Sequence, residues 1–225
     1  AVTGASMGSL QTVEWAASYP DMVERIIPVI PGGLEADPYL IAMAQIWANP
    51  ILLDPNWNKG NYYDQDKKPT QGLEQALQVV TVNARHYGWA ERLFGRKWSA
   101  EGKDPAQDWN NTYTIQDAIS KAGAGRAKIS DANSFLYLVR ANQLFRVGNA
   151  ATVEEGAKRI KAKALFLPAK SDLLLFPDYS KQAVALLKKQ GNVAEYAEIP
   201  GDGGHLDGVT DVAKVGDKIK AFLSK

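Results

Sequence analysis

The chain reads as an α/β protein: a mostly parallel sheet flanked by helices, with a helical lid inserted into it and its first strands expected ahead of residue 1. Three observations predict this. A short apolar run, Ala1-Val2-Thr3, enters a sharp turn, then a helical stretch, then a second apolar run; strand, helix, strand in that order makes a parallel pair. A long middle section then offers helical patterns and no confident strand. From about residue 149 the alternation of helix and strand resumes and continues to the end.

Taken in order, residues 9–19 form the first helix, halted by Pro20, and Arg25-Ile26-Ile27-Pro28-Val29-Ile30 the strand after it. Helical runs follow at 39–53, 72–87 and 133–145, separated by polar loops rich in Asn, Asp, Gly and Trp. Next come a helix near 152–159, a strand at 162–167, a helix at 177–190 and a strand at 193–199. The last helix is expected over 209–223, where Val212, Val215, Ile219 and Phe222 recur at helical spacing. The division is therefore core at 1–32, lid at 33–148 and core again at 149–225.

Composition narrows the function. The 225 residues include 26 Lys and Arg against 25 Asp and Glu, scattered along the chain, so no basic stripe for nucleic acid is visible. There is no Cys, which excludes disulfides and thiol chemistry, and the two His are too few for most His-built metal sites. No apolar run approaches the ~18 residues that would span a bilayer. A soluble, cytoplasmic protein without metal or bound cofactor is the expectation.

Gly4-Ala5-Ser6-Met7-Gly8 matches G-x-S-x-G, the nucleophile elbow of the α/β-hydrolase fold. Its glycines allow the tight turn that strains the Ser and holds its Oγ in the open. The Met7 amide, at the start of the helix, can donate to an oxyanion. In this fold an acid and then a His follow, each just past a later strand. Asp172 occupies the first place, after Ala164-Leu165-Phe166-Leu167, and His205 the second, after Pro200-Gly201-Asp202-Gly203-Gly204. Asp178 reads as helix surface, and His86 as a structural residue within a lid helix. Asp202 and Asp207 read first as solvated loop residues, with Asp207 a weaker candidate for touching substrate. A Ser6, Asp172, His205 triad implies acyl transfer through an acyl-enzyme. A second oxyanion donor would come from a loop upstream of the elbow, so a further N-terminal segment is expected, either continuous with the chain or as a bound proteolytic fragment.

The sequence resembles the homoserine O-acetyltransferase family of α/β-hydrolases, including its esterase-like members. The resemblance rests on the elbow with Gln11 and Glu14-Trp15-Ala16, on Tyr19-Pro20-Asp21-Met22-Val23, on Leu53-Asp54-Pro55-Asn56-Trp57 followed by Gly60-Asn61-Tyr62-Tyr63, and on Phe94-Gly95-Arg96. It extends through Asp131 to Leu138 and Asp172 to Pro177. It implies a helical lid and a homodimer formed through the lids. Two departures bear on substrate. The Gln-Arg pair whose Arg grips a substrate carboxylate in the transferases aligns near Ala48 and Asn49, and the Asp that directly follows their His is Leu206 here. Unpaired charged ends of an amino acid substrate would be costly. Hydrolysis of small acetyl-type esters is therefore expected, ahead of acetyl transfer to homoserine or another alcohol with acetyl-CoA as co-substrate; a non-catalytic binding protein on the same fold is the third reading. Trp47, Trp57, Tyr62 and Tyr63 could line an acyl pocket, although ordinary core packing is the preferred role.

Overall fold

The structure, a computed structural model, describes residues 1–224; Lys225, the end of the 149–225 segment, lies outside them. In chain order these residues form β1 (Val2–Ala5), α1 (Met7–Ser18), β2 (Arg25–Val29), α2 (Pro38–Leu53), α3 (Thr70–Asn83), α4 (Tyr87–Leu93), α5 (Thr114–Ala127), α6 (Ala132–Leu144), α7 (Val153–Ala157), β3 (Lys163–Phe166), α8 (Pro177–Lys189), β4 (Ala194–Tyr196), α9 (Asp207–Thr210) and α10 (Gly216–Leu223). They divide into two compact units, one of residues 1–40 and 142 onward, the other of residues 41–141.

The first unit is built on a four-stranded parallel sheet in the order β1-β2-β3-β4. Val2 pairs with Ile26, Ile26 with Ala164, and Phe166 with Tyr196. Successive side chains of a strand face opposite sides. Ile26, Ala164 and Phe166 accordingly join one core cluster, with Val13 and Ala16 of α1 and Ala183 and Leu187 of α8. Ile27, Leu165 and Leu167 join another, closed by Val215 and by Phe222 of α10. Burial on both faces is why the strands read as continuous apolar runs rather than alternating ones.

The second unit has its own core of Ile51, Tyr62, Leu73, Ala76, Leu77 and Ala132. Asp54 organises its start: Oδ1 accepts from Asn56 N at 2.9 Å and Oδ2 from Gly72 N at 2.9 Å. Asp131 organises its far end. Its carboxylate accepts from the Tyr62 hydroxyl, from Tyr63 Oη at 3.1 Å and from Ser134 N at 2.7 Å, the last capping α6. Burial pushes the Asp131 carboxyl up, but the hydrogen bonds from Tyr62, Ser134 and Tyr63 outweigh it and hold the group below its usual range. Burial and then the bond to Asp131 raise the Tyr62 phenol well above its ordinary value.

Several sequence expectations change. The run expected at 72–87 ends at Asn83, and His86 lies outside any helix: it caps α4, its Nδ1 accepting from Gly88 N at 3.2 Å. The tail expected at 209–223 is not one helix but α9, a 3-10 turn at Val212–Val215, and α10. Its apolar spacing survives because both pieces face the same core. The strand expected at 193–199 is paired only over Ala194–Tyr196, with one further bridge from Ala169 to Ile199. The helix near 152–159 is confined to Val153–Ala157, started by Thr152, whose Oγ1 accepts from Glu155 N at 3.2 Å. The helix α5 was not expected at all.

Candidate active site

The site sits at the carboxyl ends of β1, β3 and β4, where loops from a parallel sheet converge. Ser6 occupies the turn between β1 and α1 with φ 56° and ψ −124°, a left-handed conformation costly for a residue with a Cβ. It is held there by its amide, which donates to Val29 O at 3.0 Å. The steric demand of the turn falls on Gly4: a Cβ there would lie 2.4 Å from Gly8 O, whereas a Cβ on Gly8 meets no described atom within 4 Å. The expectation that both glycines are needed for space is thus corrected to one. Ser6 stands where a helix cap would, yet its side chain caps nothing. Its Oγ is instead 2.7 Å from His205 Nε2.

His205 is buried, 4% exposed, and its Nδ1 lies 2.7 Å from Asp172 Oδ2. An ionised carboxylate only accepts, so Nδ1 carries the proton and Nε2 is left to accept from the Ser6 hydroxyl. Asp172, 2% exposed, is held by its own loop: Oδ1 accepts from Leu174 N at 2.8 Å and Leu175 N at 3.0 Å. Three residues separated by as many as 199 positions thus form one hydrogen-bonded line. Asp178 stands apart, exposed on α8 and paired with Lys181 at 3.0 Å. Met7 is the first residue of α1, where a helix leaves amides without internal partners and the dipole favours negative charge.

The other candidates are engaged within their own units. Asp207 is not a solvated loop residue; it is 4% exposed and its carboxylate is engaged by Ser171 and Gly203. Trp47 is buried, donating from Nε1 to Asn83 Oδ1 at 2.8 Å, and Trp57 donates to Asn133 Oδ1 at 2.9 Å. Tyr62 is buried and Tyr63 is 59% exposed, both bonded to Asp131. All four hydrogen-bond within the second unit, Tyr63 from an exposed position. Sequence reasoning missed Ser171; a hydroxyl directly before the candidate acid was the only available signal. In the first unit a cavity of about 390 Å³ lies beside α8, lined by Gly33, Asp37, Tyr179 and Ala183 among others, and none of Ser6, Asp172 and His205 lines it. Among the described residues no group of three His, Asp or Glu is placed to hold a metal ion, and no helix is long and apolar enough to cross a membrane.

No family model matches the chain. It is 34% identical over 229 residues to a homoserine O-acetyltransferase of Symbiobacterium thermophilum, a match covering 100% of this chain and 58% of that protein. A homoserine O-acetyltransferase of Methanosphaera stadtmanae is 30% identical over 225 residues, covering 100% of this chain and 46% of the relative. Among solved structures, esterase E22 superposes with a TM-score of 0.91 at 40% identity, over 99% of this chain and 60% of that one. A homoserine O-acetyltransferase from Bacillus anthracis superposes with the same TM-score, 0.91, at 32% identity, covering 99% of this chain and 59% of that one. The chain thus spans between 46% and 60% of the length of these relatives.

Proposed function

The chain belongs to the α/β-hydrolase superfamily, and from that premise we propose that it carries out serine-dependent acyl transfer through an acyl-enzyme, with small acetyl-type esters as substrates and water as acceptor. The observation that carries the reading is the line Ser6 Oγ, His205, Asp172, with both links at 2.7 Å. As Oγ attacks the ester carbonyl carbon, Nε2 takes its proton, and the imidazolium that results is stabilised by the buried Asp172 carboxylate. The carbonyl oxygen becomes an oxyanion facing the Met7 amide; a donor in this role is worth ~2.7–4 kcal/mol of barrier. Collapse of the tetrahedral intermediate breaks the bond to the alkoxy group, which leaves with the proton from Nε2. Water, deprotonated by the same nitrogen, then releases the acid and restores the Ser6 hydroxyl.

Water is favoured over an amino acid alcohol because the charged ends of such an acceptor find few partners. Ala48 and Asn49 offer no guanidinium, Leu206 follows His205, and the Asp207 carboxylate already accepts from Gly203 and Ser171. Acetyl transfer from acetyl-CoA to homoserine is the second reading, favoured by the similarity to homoserine O-acetyltransferases described above. The proposal includes a cytoplasmic homodimer acting without a bound cofactor, acetyl-CoA entering only as co-substrate of the second reading.

Labelling with a fluorophosphonate, compared with Ser6→Ala, tests the nucleophile. Labelling that persists in the variant removes Ser6 as the nucleophile, and a native protein that does not label, assayed with its N-terminal part present, counts for a binding protein. Parallel incubations with p-nitrophenyl acetate and with acetyl-CoA plus homoserine test the acceptor. Faster O-acetylhomoserine formation than ester hydrolysis would overturn the preference for water.

A further inference from the structure

The catalytic line joins two loops, one after β3 carrying Ser171 and Asp172, the other after β4 carrying residues 200–207. Beside the bond from His205 to Asp172 runs a second connection made of groups that do not bond to Ser6. Gly203 N donates to both oxygens of Asp207, at 3.1 and 3.0 Å. Ser171 Oγ donates to Asp207 Oδ2 at 3.1 Å and itself accepts from Gly204 N at 3.0 Å. The loop is cut to fit this carboxylate, since a Cβ on Gly201 or on Gly203 would lie 2.3 Å from one of its oxygens. A carboxylate this buried, 4% exposed, is tolerated only with such partners. The pattern brackets the imidazole on every covalent side: Gly203 and Gly204 precede His205, Asp207 follows it, and Ser171 adjoins Asp172.

We propose that Asp207 and Ser171 are positioning residues, a clamp that locks the His loop onto the acid loop and so fixes the orientation from which His205 reaches both Asp172 and Ser6. The proposal rests on the catalytic reading above. Its consequence is specific: loosening the clamp leaves every reacting group present but misplaced, and a displacement of ~1 Å costs about a hundredfold in rate. The loss therefore falls on kcat rather than KM.

The test uses the full-length natural protein with Asp207→Ala, Asp207→Asn, Ser171→Ala and the double alanine variant, p-nitrophenyl acetate as substrate, and sites counted by fluorophosphonate titration. In Asp207→Ala, kcat per titrated site is expected to fall between about tenfold and a hundredfold with KM nearly unchanged. Ser171→Ala falls less, Asp207→Asn recovers part of the rate through its remaining acceptor oxygen, and the double variant is no worse than Asp207→Ala, because contacts within one network are not additive. A brace that served stability alone would lower the melting temperature and the number of titratable sites while leaving the rate per site at the native level; that result overturns the proposal. The 225 residues hold two His, and in nitrogen-15 histidine NMR the signal lost in His205→Asn is the one that belongs to His205, whatever further His the full-length protein carries. The proton on His205 Nδ1, hydrogen-bonded to Asp172, is expected to give a downfield resonance that is lost or broadened in Asp207→Ala. An unchanged resonance also overturns the clamp. A native protein that neither turns over nor labels overturns the catalytic reading instead, and the resonance then decides the clamp on its own.

Discussion

Asp172 and Asp178 lie six positions apart in sequence order yet do opposite things, and the difference is in who holds the carboxylate. Asp172 has one oxygen fixed by the amides of Leu174 and Leu175, which leaves the other aimed at His205. Asp178 faces solvent with Lys181, an exposed pair worth ~0–1 kcal/mol. Asp172→Asn is expected to lower kcat about ten-thousandfold by presenting a donor or a neutral acceptor to Nδ1 and so favouring the wrong tautomer. Asp178→Asn should leave both kcat and thermal stability within error; steady-state kinetics on the pair decides. The elbow offers a second contrast. Gly4→Ala drives a methyl into the backbone of Gly8, which no rotamer can relieve, so a loss of at least ~1–3 kcal/mol in urea unfolding and a displaced Ser6 are expected. Gly8→Ala has room, and should fold and turn over normally. At this scale the sequence was informative where the demand is local. A pentapeptide that must turn sharply announces itself, and the acid and His follow from strand order. The engagement of Asp207 was not legible, because burial of that carboxylate is created by loop closure between residues 171 and 203.

Elements were legible in proportion to how apolar their contact faces are. The helix α8 sets Ala183, Val184 and Leu187 against the sheet and was read to within a residue at each end. The helix α5 was missed although Ile115, Ala118, Ile119 and Ala122 recur at helical spacing; only two of these are large, and the one buried position among its described residues is a glycine. A Cβ on Gly123 would lie 2.6 Å from Gln78 Cγ and 2.7 Å from Glu74 O, so α5 meets α3 backbone to backbone, and only Gly123 of its residues is buried. Its start is nonetheless encoded, Gln116 Oε1 accepting from Tyr113 N at 2.8 Å. Gly123→Leu is expected to force the two helices apart at a cost of about 1–3 kcal/mol, seen as an earlier urea midpoint and lost helical circular dichroism. Gly125→Leu, at a position where a Cβ meets no described atom within 4 Å, is the control. Equal effects from the two would show that α5 is not seated on α3 through Gly123.

At the scale of the whole molecule each unit holds a phenol whose ionisation is pushed up, and in the first unit burial and then Asp37 raise Tyr179 as well. Tyr62 in the second unit is raised by burial and then by its bond to Asp131. Tyr196 in the first is raised by burial and then by Glu198, to which its hydroxyl donates at 2.7 Å. In the unfolded chain both ionise near the ordinary value of 10.0. Above that pH the unfolded state binds fewer protons than the folded one, so stability falls as pH rises. Asp131 works at the opposite limit: its folded carboxyl titrates below the ordinary 3.8, and its contribution disappears as pH falls through that lower value. Between these limits none of the three groups makes stability depend on pH. Urea unfolding of the native protein, Tyr62→Phe and Tyr196→Phe at pH 8, 10 and 11 separates the contributions. Each Phe variant should be less stable at pH 8, having lost a hydrogen bond, but should lose less on going to pH 11 than the native protein does. If unfolding proceeds in two steps, Tyr62→Phe should flatten only the step assigned to residues 41–141, and Tyr196→Phe only the other. A native slope retained in Tyr62→Phe above pH 10 would mean that burial and the bond to Asp131 together do not raise this phenol, and its buried pairing at the far end of the second unit would have to be abandoned.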